Sequence, residues 1–69
     1  MKYSISARNQ LEGVVTKVEP GAVNGIVTID VNGMPITATI SMGSIERLGL
    51  KEGVPAVAII KATDVMVGV

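Results

Sequence analysis

Residues 26–40 restrict the fold more than any other stretch of this chain. Ile26, Thr28 and Asp30 alternate with Val27, Ile29 and Val31, and Ile36, Ala38 and Ile40 alternate with Thr37, Thr39 and Ser41. A period of two puts successive side chains on opposite faces, so each run reads as a strand. Asn32-Gly33 lies between them and suits a two-residue turn with positive φ at both positions. The stretch therefore predicts a β-hairpin.

Weaker copies of the same pattern flank it. Val14, Val15, Thr16, Lys17 and Val18 predict an earlier strand. At 54–60, Val54, Ala56, Ala58 and Ile60 face one way and Val57 and Ile59 the other, which predicts a strand buried on both sides. Asp64 to Val69 predicts a last strand. Pro20-Gly21 and Asn24-Gly25 frame a loop, and Leu50-Lys51-Glu52-Gly53 a turn. Only 42–48 reads as helical, with Ser41 as N-cap, Ile45 and Leu48 on one face, and Gly49 as the stop. No linker or repeat interrupts the chain, so residues 1–69 read as one domain. Four or five short strands and one short helix predict an all-β fold, a small OB-like barrel.

Composition limits what such a barrel can do. The chain has 69 residues, 48% of them apolar, and a chain this short buries only about 60% of the surface its unfolded form exposes. Mean hydropathy is +0.53. An apolar excess of this size on a small domain predicts self-association. No apolar run approaches the roughly 20 residues a membrane span requires, and Met1-Lys2-Tyr3-Ser4 leads into polar residues where a signal peptide would be apolar. The expected location is cytoplasmic, with no membrane partner. Cysteine and histidine are both absent, which removes thiolate metal sites, the commonest metal ligand and the commonest general base. An enzyme is disfavoured. The methionines, Met1, Met34, Met42 and Met66, read as initiator and packing residues, so no direct protein–metal ligands are expected. Six basic residues balance six acidic ones, and Tyr3 alone makes no stacking platform, so a nucleic-acid partner is not expected either.

What remains is a set of hydrogen-bond donors. Ser6-Ala7-Arg8-Asn9 reads as a turn whose successive N–H groups form an anion nest, with the Ser6 hydroxyl beside them. Ser41 and Ser44 stand at the expected helix start, and Lys61 follows the most apolar strand. A tetrahedral, fully ionised oxyanion accepts hydrogen bonds and donates none, so a site for it wants donors only. Each residue also has an ordinary reading. Ser41 caps a helix, Ser6 and Asn9 occupy a turn, and Arg8 and Lys61 are solvated charges.

Taken in order, Ser6-Ala7-Arg8-Asn9-Gln10-Leu11 with Glu12-Gly13, Ile40-Ser41-x-x-Ser44 leading into Leu48 to Gly53, and Lys61-Ala62-Thr63-Asp64-Val65-Met66 resemble the molybdate-binding Mop or molbindin family. The same unit occurs as the TOBE-type domain of molybdate-transport ATPases and of a molybdate-responsive transcription regulator. The resemblance spans nearly the whole chain. It implies a strand-swapped oligomer, a hexamer built as a trimer of dimers, with oxyanions at subunit interfaces. The implied site uses the Ser6 hydroxyl and the N–H groups of Ala7 and Arg8 from one subunit. Ser41, Lys61 and the N–H of Ala62 complete it, and Ser44 is a further candidate. Ala62 is often serine in relatives, which removes a side-chain donor here. A second kind of site near the three-fold axis is assigned to Gly21, Ala22 and Val23. The implied function is storage of molybdate as a free oxyanion, with no pterin. Tungstate, of like shape and charge, and a structural β-barrel oligomer with no ligand are the alternatives.

Overall fold

The computed structural model describes residues 4–69; the Met1-Lys2-Tyr3 start, with the single aromatic and one of the four methionines, lies outside the described residues. The expected hairpin is present as β2 (Asn24–Val31) and β3 (Met34–Ser41), paired in register from Val31↔Met34 to Asn24↔Ser41. Asn32 (φ 51) and Gly33 (φ 88) make the turn. It is fixed further by the Gly33 N–H, which donates to Asp30 Oδ2 at 3.2 Å. Val27 and Ile29 point inward and are buried, while Thr37 and Thr39 on β3 are exposed, as the alternation requires.

β1 (Asn9–Glu19) is longer than the apolar run at 14–18 indicates. Its first half, Asn9 to Val14, pairs with β4 (Pro55–Ile60), and its second half, Val14 to Glu19, pairs with β2. The register slips by one residue between Val15 and Lys17, a bulge that bends the strand where it changes partners. All pairings are antiparallel and the order is β3-β2-β1-β4. Although β2 and β4 are not neighbours, Val27 and Ile29 share one buried cluster with Ala58, Val15 and Ile45. The sheet therefore curls round its core as a half-barrel, with β3 and β4 as its two edges.

The helix α1 (Met42–Arg47) plugs the interior. Ser41 caps it, its Oγ accepting the Ser44 N–H at 3.1 Å. Its C-terminus closes through Leu50 N–H to the Ile45 carbonyl (3.0 Å) and Gly49 N–H to the Glu46 carbonyl (3.1 Å), the paired bonds of a Schellman end. Ile45 is buried, but Leu48 is 56% exposed. The inward face is Met42 and Ile45 instead, one turn earlier, because the chain turns outward at Leu48, the C-cap. Both side chains lie over Gly25, where an added Cβ would stand 2.6 Å from Ile45 Cδ1 and 2.9 Å from Met42 Sδ. Asn24-Gly25 is consequently the start of β2 rather than part of a loop.

Two further expectations change. Ile59 is 40% exposed, so β4 is less covered on that face; it is an edge strand, and no described residue buries Ile59. Asp64 to Val69 forms no strand: Ala62–Asp64 is a single 3-10 turn and residues 65–69 carry no regular structure. Among the described residues no ladder reaches them, and a strand cannot persist without one.

Candidate functional site

The pairing of β1 with β4 decides which donors meet. Asn9 is in register with Ile60, so the segments just beyond, Ser6-Ala7-Arg8 and Lys61-Ala62, leave the same end of the sheet side by side. Ala7 is buried at 4% exposure and anchors its segment, leaving Ser6 and Arg8 exposed on either side. Lys61 and Ala62 are exposed as well. The Lys61 carbonyl accepts the Asp64 N–H at 2.9 Å, which starts the 3-10 turn, and Asp64 is the acidic residue of that turn.

Arg8 and Lys61 thus bring two cations to adjacent strand ends. Among the described residues neither forms an ion pair, whereas Lys17 Nζ lies 3.6 Å from Glu19. Like charges brought close to each other repel and gain when an anion lies between them. Both are exposed, so solvent screens much of this gain.

Two side-chain amides brace these segments. Asn9 Nδ2 donates to the Ile60 carbonyl at 3.1 Å, tying the foot of β1 to the end of β4. Gln10 Nε2 donates to the Ala7 carbonyl, also at 3.1 Å. Neither role was legible in the sequence, where Asn9 read as a turn residue and Gln10 only as a member of the first motif segment. An amide at the first positions of a strand that follows a donor-rich turn was the only hint.

Ser41 and Ser44 are elsewhere. β3 runs antiparallel to β2 and ends with Ser41 opposite Asn24, beyond the rung where Glu19 of β1 meets Ile26. Ser41 and Lys61 therefore lie past opposite ends of β1, separated by up to about 33 Å of extended strand. Within the chain the two serines satisfy each other: Ser41 Oγ donates to Ser44 Oγ at 2.9 Å while accepting the Ser44 N–H. One subunit does not bring them to Lys61.

Gly21, Ala22 and Val23 lie at that same far end, all exposed. The Val23 carbonyl accepts the Met42 N–H at 2.9 Å, which docks this loop on the helix start. Among the described residues no group of three or more His, Cys, Asp or Glu side chains is placed to hold a metal ion.

With this geometry in view, the chain can be set beside known proteins. Residues 5–67 match the TOBE domain. A relative named "Probable molybdenum-pterin-binding protein" from Haemophilus influenzae is 53% identical over 66 residues, covering 94% of this chain and 96% of that protein. The solved structure of MopII from Clostridium pasteurianum superposes with a TM-score of 0.90 at 46% identity, covering 96% of this chain and 100% of the other. The molybdate-bound structure of the cytoplasmic molybdate-binding protein ModG gives 0.84 at 45% identity, covering 88% of this chain and 44% of that longer one. The chain belongs to the TOBE domain family, and its relatives within it are the Mop-type molybdenum-binding proteins.

Proposed function

We propose that this protein binds molybdate as a free oxyanion, without catalysis, and so stores or buffers molybdenum in the cytoplasm, with residues 1–69 acting as one domain. The observation that supports the reading is the Asn9↔Ile60 register, which joins the start of β1 to the end of β4, with Ser6, Ala7 and Arg8 preceding the one and Lys61 and Ala62 following the other. These residues offer a hydroxyl, backbone N–H groups and two cations, the donors a dianion needs. Names among the relatives mention both a molybdenum pterin and molybdate. The free anion suits this chain better, since Tyr3 is its one aromatic residue and a pterin ring would want flat, stacking walls. The relatives' names carry molybdenum rather than tungsten, which supports molybdate over tungstate. Cytoplasmic placement is supported by the likeness to ModG, a cytoplasmic molybdate-binding protein, and agrees with the lack, among the described residues, of a helix long and apolar enough to cross a membrane.

Ser41 completes the pocket from a second subunit, with Ser44 behind it, and the Gly21-Ala22-Val23 loop belongs to a separate site. The support is geometric: the serines and Lys61 lie past opposite ends of β1 in one chain, so a site containing both has to span two. Assembly as a strand-exchanged hexamer, a trimer of dimers, is supported by the exposed apolar surface. Leu11 and Ile59 on the β1/β4 arm are 36% and 40% exposed, and Met66 and Val67 in the tail 94% and 90%.

The test is metal analysis of protein purified from molybdate-supplemented cells, followed by calorimetric titration of the stripped protein with molybdate. Molybdenum in a fixed ratio to protein is the expected result. Protein that carries none and shows no binding heat would overturn the reading and leave the structural oligomer.

A further inference from the structure

We propose that Asn9 and Gln10 are positioning residues that aim the donors of the anion site; this deepens the functional reading above and rests on it. A peptide group is planar, and in the trans form its carbonyl and its N–H point in opposite directions. No peptide bond of the described chain is cis. The Ala7 carbonyl shares its plane with the Arg8 N–H, so Gln10 Nε2, by holding that carbonyl at 3.1 Å, fixes the direction of the Arg8 N–H. In the same way Asn9 Nδ2, 3.1 Å from the Ile60 carbonyl, fixes the plane of the Ile60–Lys61 peptide and so the angle at which Lys61 and the following Ala62 leave the sheet.

A second effect follows from the same two bonds. Carbonyl oxygens are acceptors and repel a dianion, and each amide ties one down on the side away from its N–H. Both amides are half-buried, where a fixed hydrogen bond resists competition from water better than at an open surface. One peptide on each of the two neighbouring segments is thereby turned donor-outward. Side-chain amides suit the task because they donate without bringing a charge of their own into an anion site. Freely turning peptides would adapt to a tetrahedral anion of any size, whereas braced ones favour the size they fit.

The experiment compares wild type, Asn9→Ala and Gln10→Ala for affinity toward molybdate and sulfate. Thermal melting and sedimentation are run alongside, together with the ¹⁵N-amide spectrum of the anion-free protein. Each variant is expected to bind molybdate about 2- to 10-fold more weakly, the range of one lost neutral hydrogen bond. The molybdate-to-sulfate ratio is expected to fall with it. The amide signal of Arg8 is expected to move in Gln10→Ala, and that of Lys61 in Asn9→Ala. A residue that only supports the fold would shift melting or assembly and leave the ratio unchanged. If a variant fails to assemble, Asn9→Leu or Gln10→Met, neutral and of similar size, removes the donor without adding a charge and is read the same way. Wild type that binds while the variants keep its affinity and ratio overturns the positioning roles alone. Wild type that binds no molybdate overturns the functional reading and this inference together.

Discussion

Lys61 is the side-chain cation that follows the apolar strand β4 directly, and its substitution gives the sharpest test of the anion site. Lys61→Ala is expected to lose a charge-assisted hydrogen bond of about 1.5–3 kcal/mol, roughly a 10- to 150-fold loss of molybdate affinity. Folding is expected to survive, because Lys61 is exposed. Lys51→Ala removes the same charge from the turn before β4 and is expected to bind as wild type. Equal losses in a titration of both variants would show general electrostatics and remove Lys61 from the site. Gly25 probes the core instead. An alanine there meets Ile45 Cδ1 and Met42 Sδ at under 3 Å, and overpacking of this kind costs about 1–3 kcal/mol. Gly25→Ala is therefore expected to lower the denaturation midpoint, and an unchanged midpoint would show that α1 moves away freely.

At the scale of elements, α1 is short enough that its cap matters. Ser41→Ala removes the acceptor of the Ser44 N–H and is expected to cost about 1 kcal/mol of stability. If Ser41 also reaches an anion from a second subunit, molybdate affinity falls as well, whereas a purely capping serine moves only the melting curve. The elements differ in how readable they were, and the reason is where their partners lie. β2 and β3 pair with each other across two residues, so Asn32-Gly33 and the alternation contain all the information needed. The foot of β1, Asn9 to Gly13, does not alternate in polarity and is a strand only because β4, some fifty residues later, pairs with it. The apolar character of β4 on both faces was legible, but among the described residues Ile59 stays 40% exposed. The tail at 65–69 has the composition of a strand, but no described strand pairs with it. The donors of the site were legible one by one, and Ser6 to Arg8 meeting Lys61 follows from register, which polarity alone does not encode.

For the whole molecule, sedimentation at micromolar concentration is expected to show a hexamer, and a stable folded monomer would remove the shared site along with the assembly. Molybdate is expected to outcompete phosphate. Phosphate keeps a proton near neutral pH and wants a carboxylate acceptor that the proposed pocket residues, Ser6, Ala7, Arg8, Lys61 and Ala62, do not supply, so equal affinity in competitive calorimetry would refute the donor-only argument. The placement of Ser41 and Lys61 past opposite ends of β1 has a further result by mass action. If neither end holds the anion alone, ligand and neighbouring subunit each raise the other's affinity by the same factor. Molybdate then tightens the assembly, and dilution that separates subunits empties them. A store built this way keeps its load while the protein is abundant and gives it up as the protein becomes scarce.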